Sequence, residues 1–277
     1  MINIKDITSN LVQREDGIWV AQKQSHVSYP IDGNETCFAL EDRSFWFRHR
    51  NSVICQLVSR FSPSAVFFDI GGGNGCVSKA LQSKGFDTVL VEPGANGAVN
   101  ARSRGLRTVI QSTLQDAVFS SQSMASVGLF DVVEHIEDDI GFMRTIWDCL
   151  QPDGTVYMTV PALQFLWSKD DAHAGHFRRY TKSSLSILLT QCGFDIRYCG
   201  FLFSFLIPPI FLFRSVPSWL GFRNLHSTET IHREHSSGIR IANYLIQKLL
   251  RYELNIIKKG KSMIVGSSCV AVAVKKT

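Results

Sequence analysis

The sequence predicts an α/β unit, a doubly wound and mainly parallel sheet of seven strands with helices on both faces. Two observations predict it. From Val66 onward, short apolar runs alternate with helically periodic stretches. The first of those runs enters a glycine-rich turn, "DIGGGNG", that opens directly into a helix. A length of 277 residues and an apolar content of 45% allow one large core with additions.

The elements follow in order. Residues 1–30 read as polar and irregular, and "FALEDRSFWFRHRNSVICQLVSRF" (38–61) places Phe47, Val53, Ile54, Leu57 and Val58 on one helical face. Residues 1–61 are therefore expected to form an N-terminal cap segment whose helical part is 38–61. Strands are predicted at Val66–Ile70, Thr88–Glu92, Arg107–Gln111, Ser126–Phe130 and Thr155–Val160. Helices are predicted at Cys76–Ser83, Asn96–Arg104, Asp138–Leu150 and Lys182–Cys192. "FDIRYCGFLFSFL" supplies a sixth strand and Ser268–Val274 the seventh. The core spans 62–207, and 263–277 returns as its last strand. Residues 208–262 form an insertion too long for an ordinary loop and are expected to be helical.

Ligands in such sheets bind beyond the carboxyl ends of the strands. The glycine turn lies there. Gly71, Gly73 and Gly75 accept the φ > 0 conformations of a tight turn, and a Cβ at any of them is expected to collide with a ligand close to the backbone. The helix that follows directs free N–H groups at the same place. The dinucleotide fingerprint G-x-G-x-x-G fails in both registers, since its third glycine falls on Cys76 or Ser78. The acid Glu92 closes the second strand, where a carboxylate accepts hydrogen bonds from a ribose diol.

The order Asp69-Ile70-Gly71-Gly72-Gly73-Asn74-Gly75 resembles the first motif of the class I S-adenosylmethionine methyltransferases, and "DVVEHI" (131–136) resembles their segment after the fourth strand. From Ser44 to Val274 the chain is similar to the small-molecule members, ubiquinone-type O-methyltransferases and enzymes of glycan biosynthesis. "FWFRHRN" and "HFRRYT" resemble segments of the glycan-associated group. The resemblance implies S-adenosylmethionine as cofactor, with Asp69, Gly71, Gly73 and Gly75 around its methionine part and Glu92 on the ribose. It also implies Thr113 and Leu114 near the adenine and Asp131 beside the methionine portion. Thr113-Leu114 and Gln115-Asp116 compete for the adenine contact, because the usual Asp-Ala pair is absent.

Transfer to a hydroxyl benefits from a base, and histidine suits neutral pH. His135 follows the fourth strand, and His176 lies in "SKDDAHAGHFRRY" after the fifth, so both are catalytic candidates. His173, Arg178, Arg179 and Tyr180 of that loop, with Trp46, are expected to bind an anionic or sugar acceptor. Asp131, Glu134, His135, Glu137, Asp138, Asp139, His173 and His176 have ligand chemistry. Acids at a helix start are nevertheless favoured by the helix dipole alone, and no metal is expected.

Two rivals stand beside this reading, an NAD(P)-dependent reductase and a non-catalytic partner protein. A net charge of +5 with no aromatic-basic face makes a nucleic-acid substrate unexpected. Neither an N/D-P-P-Y/F segment nor a Pro-Cys pair follows any strand. Seven dispersed cysteines without a CxxC pair, and a polar start without an apolar leader, suit a cytoplasmic protein. "FLFSFLIPPIFLF", too short to span and expected to break at Pro208-Pro209, and the basic amphipathic "GIRIANYLIQKLLRYELNII" (238–257) suggest peripheral membrane contact and a lipid-linked acceptor. In the latter stretch Ile239, Ala242, Ile246, Leu249 and Ile256 form the expected apolar stripe.

Overall fold

The computed structural model describes residues 2–23, 38, 40–62, 64–222 and 240–276. They build around a nine-stranded sheet. The strands are β1 (Leu11–Gln13), β2 (Trp19–Ala21), β3 (Val66–Ile70), β4 (Asp87–Val91), β5 (Thr108–Gln111), β6 (Met124–Phe130), β7 (Leu150–Pro161), β8 (Phe194–Leu202) and β9 (Ser268–Lys275). Their spatial order is β1-β2-β5-β4-β3-β6-β7-β9-β8. The run from β2 to β7 pairs in parallel, while β1 and the β7-β9-β8 end pair antiparallel. The expected seven strands are thus present, and β1 and β2 add to one edge.

Those two strands correct the reading of residues 1–30 as irregular, while the helical part of the cap is present at Phe45–Phe61. β2 docks in parallel on β5, Trp19 opposite Ile110 and Val20 opposite Gln111. Ile18 is buried with Leu90, Leu106 and Val109, which holds the segment on the sheet. Three residues per strand are too few for an alternating pattern to emerge from the sequence.

The longer helices among the described residues are α1 (Phe45–Phe61), α2 (Cys76–Gln82), α3 (Ala95–Ser103), α4 (Asp139–Cys149), α5 (Lys182–Gln191) and α6 (Arg240–Lys258). Ser44 caps α1 by accepting from the Trp46 N–H. The helix then buries Val53, Ile54, Leu57 and Val58 with Phe67, Tyr157 and Val272 of the sheet. On the other face α4 and α5 bury Phe142, Met143, Ile146, Leu185, Leu188 and Leu189. Asp138 and Thr181 cap them. The six described cysteines are all free thiols. Among the described residues, no helix is long and apolar enough to cross a membrane.

The insertion differs from expectation in two details. Pro208 and Pro209 do not break the apolar run. They occupy the first turn of a short helix, Ile207–Ile210, where a missing N–H costs nothing. On α6, Leu249 of the expected stripe is 46% exposed, and Leu250, Glu253 and Ile257 are the buried positions. Ile239 and the rest of 223–239 lie outside the described residues.

Glu253 explains the rotation of α6. Its carboxylate accepts from His49 Nε2 at 2.8 Å, the Phe203 N–H at 2.9 Å and the Ser204 N–H at 3.3 Å. One buried acid thereby joins the insertion to α1 and to the end of β8. Replacing it by alanine orphans three donors, so Glu253→Ala is expected to lower unfolding free energy by about 3 kcal/mol or more in urea titration. Glu253→Gln keeps one acceptor oxygen and is expected to lose less.

Candidate active site

From β3 the chain winds outward to β4 and β5 on one side, and to β6 and β7 on the other. The reversal opens a crevice at the carboxyl ends of β3 and β6. A cavity of about 830 Å³ lies there. Its wall carries Asp69, Gly71, Gly73, Glu92, Thr113, Leu114, Asp131, His135, His176 and Trp46 among the expected residues. Gln115 shares that wall and Asp116 does not, because Asp116 is turned to accept from Thr113 Oγ1 at 2.8 Å.

The glycine turn is held from within. The Gly71 N–H donates to Val91 O at 2.7 Å, the Gly73 N–H to Glu92 Oε2 at 2.8 Å, and the Gly75 N–H to Gly72 O at 2.9 Å. Glu92 Oε1 accepts from the Gly94 N–H at 2.7 Å as well. Glu92 therefore staples the turn to the end of β4. A carboxylate offers about four acceptor positions, so these bonds alone do not exhaust it. Gly71, Gly73 and Gly75 all have left-handed φ, at 69°, 53° and 76°. A Cβ on Gly71 would meet Val132, and one on Gly75 would meet Leu106 and Ala101, so at Gly75 packing within the chain takes the place of the expected collision with a ligand. Gly75 lets α2 pack closely and is absent from the cavity wall.

Asp69 sits beneath the turn, 1% exposed, with Oδ2 accepting from Ser78 Oγ at 2.7 Å. Oδ1 has no hydrogen-bond partner. Burial pushes its carboxyl up to about 6 against the opposing Ser78 bond. Asp131, at the end of β6, holds a left-handed φ of 60° and pairs with Arg50 of α1. The Arg50 guanidinium lies over the rings of Trp46 and Phe47, 4.8 and 5.4 Å from their centroids. Arg50 escaped the sequence reading, although its i+4 spacing from Trp46 put both on one helical face.

Opposite the turn, Glu134, His135 and His176 converge. The two imidazoles meet edge to face with centroids 4.7 Å apart. His176 Nδ1 lies 3.0 Å from Asp171 Oδ1, and Asp171 also accepts from Arg179 Nε at 2.8 Å and Nη2 at 3.0 Å. Burial raises the Asp171 carboxyl, but the bonds from His176 and Arg179 outweigh it and hold the group down at about 2. His135 is lowered to about 4, first by burial and then by its neighbour His176. Burial, reinforced by Asp131, pushes Glu134 well above the usual carboxylate range.

The remaining loop candidates do not face the cavity. Arg179 is the clamp on Asp171, and Arg178 pairs with Asp139 at 2.6 Å. Tyr180 is buried and donates to Asp139 Oδ2 at 2.8 Å. His173 is exposed and outside the wall. These side chains shape the loop that presents His176; their expected direct contact with an acceptor is not what the geometry provides. Asp171 was missed as the partner of His176, since an acid in the first turn of a short helix reads equally well as a cap.

A family model described as "Methyltransferase domain" matches residues 46–198. A Mycobacterium tuberculosis (strain CDC 1551 / Oshkosh) protein named as a "Probable S-adenosylmethionine-dependent methyltransferase" is 26% identical over 174 residues, covering 61% of this chain and 63% of that protein. A Mycolicibacterium smegmatis protein of the same description is 23% identical over 170 residues, covering 60% of this chain and 66% of that one. The matches thus span less than two thirds of these curated relatives. Among solved structures, the complex between the Haloferax volcanii Trm112 methyltransferase activator and a methyltransferase aligns with a TM-score of 0.57 at 14% identity, covering 90% of this chain and 98% of that one. Haemonchus contortus phosphoethanolamine N-methyltransferase 2, bound to S-adenosylmethionine, aligns at 0.55 with 18% identity, covering 90% and 58%. At such identities these structures show a shared fold.

Asp69 has a measurable signature. Its proton is held more tightly in the folded chain than in the unfolded one, so its contribution to stability is complete below pH 3.8 and is lost as pH rises through about 6. The loss is on the order of 2–3 kcal/mol. Asp69→Asn is expected to gain stability relative to wild type across that window in thermal melts without ligand. A difference between the two proteins that stays flat with pH would refute the assignment.

Proposed function

The chain belongs to the methyltransferase-domain family, and from that premise we propose that it moves a methyl group from S-adenosylmethionine to a hydroxyl oxygen of a small-molecule, glycan or lipid-linked acceptor. The observation that carries the reading is the composition of one cavity. The glycine turn and Glu92 form one wall, and the two imidazoles stand on the other.

The residues present fit the cofactor. Asp69 Oδ1, buried and without a partner at the cavity wall, suits the α-ammonium group of a bound amino acid. Glu92 suits a ribose diol, and Thr113, Leu114 and Gln115 border the space left for a base. The cofactor supplies an already activated methyl group, so the protein's task is to orient the acceptor. Asp171 anchors His176 through Nδ1, leaving Nε2 to take the hydroxyl proton. Trp46 and Phe47 give the acceptor side an apolar face, with the Arg50 guanidinium lying over both rings.

The reductase alternative loses support from the same turn. A dinucleotide pyrophosphate needs backbone donors, and the N–H groups of Gly71 and Gly73 are spent on Val91 O and Glu92. A lipid-linked acceptor is supported by the insertion, where Leu212, Phe213, Trp219, Leu220 and Phe222 are all exposed. This apolar stretch packs on the loop that carries His176, through Phe211 on Phe165 and Ser218 Oγ accepting from the Lys169 N–H.

Calorimetry is expected to show S-adenosylhomocysteine binding and no comparable NADH binding, with Glu92→Gln weakening the former by about tenfold. Stronger NADH binding would overturn the cofactor assignment. With labelled S-adenosylmethionine and a panel of hydroxyl and amine acceptors, the product is expected to be a methyl ether by NMR. His176→Ala is expected to lower turnover by about 10²–10⁴ while leaving cofactor affinity nearly unchanged.

A further inference from the structure

Glu134, His135 and His176 each bring one ligand atom into a group whose members all lie within 4.8 Å of one another. Around an ion with bonds of about 2.0–2.2 Å, neighbouring ligands stand roughly 3–4 Å apart, so small rotations complete the geometry. Glu134 adds a separate observation. It has no exposed surface, and neither carboxylate oxygen has a hydrogen-bond partner. In its ionised form a carboxylate so placed needs a cation to balance it, and otherwise it takes up a proton.

His176 is prepared for the same role. Its Nδ1 is committed to the Asp171 carboxylate, which can only accept, so Nε2 carries the lone pair. Asp171 is itself fixed by Arg179 and by the Ser168 N–H at 2.9 Å. An imidazole oriented by a carboxylate behind it is the usual outer support of a metal ligand.

Contrary to the expectation from sequence, we propose that Glu134, His135 and His176 bind a divalent first-row transition ion whose open positions face the cavity. Two imidazoles and one carboxylate favour Mn²⁺, Fe²⁺, Co²⁺ or Zn²⁺ over Mg²⁺ or Ca²⁺. Resting on the methyltransferase reading, the role that follows is to bind the acceptor's hydroxyl oxygen and acidify it. The O–H bond breaks, the proton passes to solvent water, and the electron pair stays on the oxygen held by the ion. His176 Nε2 then acts as a ligand, and the ion replaces it as the means of activating the hydroxyl.

The test uses tag-free protein stripped with a chelator and titrated with Co²⁺ and Zn²⁺ by calorimetry and visible absorption. One equivalent is expected to bind, with Co²⁺ giving the visible bands of an imidazole-ligated ion. Glu134→Gln is expected to weaken binding by at least tenfold, and Asp171→Asn by about 10–100-fold. Retained S-adenosylhomocysteine binding shows that each variant is folded. Equal Co²⁺ affinity in wild type and Glu134→Gln, or no stoichiometric binding in wild type, overturns the site. Methyl transfer by the stripped enzyme that His176→Ala abolishes would overturn its role while leaving the Proposed function intact. Failure of wild type to bind S-adenosylhomocysteine would instead strike the cofactor reading, with metal occupancy still measurable.

Discussion

One carboxylate sets the shape of the crevice. Glu92 draws the Gly73 and Gly94 N–H groups onto its two oxygens, which fastens the turn after β3 to the turn after β4. With Gly71 tied to Val91 O, the turn has little freedom to collapse inward or swing away. Backbone in the left-handed region at three glycines follows from that fastening. The far wall stands opposite this fastened turn.

The buried acids divide into two kinds. Asp171 and Glu253 are surrounded by donors and bind structure together: one holds the loop of His176, the other ties α6 to α1. Asp69 and Glu134 are buried with oxygens left without partners, and both face the cavity. Of these four, the satisfied acids hold the scaffold and the unsatisfied ones line the cavity, while Glu92 does both.

The core was legible in the sequence because its strands are apolar on both faces and separated by clear helical patterns. Val66–Ile70 reads directly, and the remaining core strands shift only at their ends. β1 and β2 were not legible, since a three-residue strand has no period. The wall of the glycine turn was legible because glycine spacing and one acid are local in the chain. The opposite wall was only half so. His135 and His176 could be named, but Asp171 as an anchor, Arg50 on Asp131 and the inward turn of Glu134 depend on contacts between distant segments. The loop residues misled for a related reason: Arg178, Arg179 and Tyr180 satisfy acids of the fold, and a sequence does not show which donors are already spoken for.

β9 lies between β7 and β8 and pairs with both along most of its length. During synthesis the two flanking strands emerge long before their shared partner, with the whole insertion still to be made. Until residues 268–275 leave the ribosome, each flank presents an open edge to any passing chain. The sheet is thus zipped shut by its latest strand, and its most non-local pairing is also the last that can form.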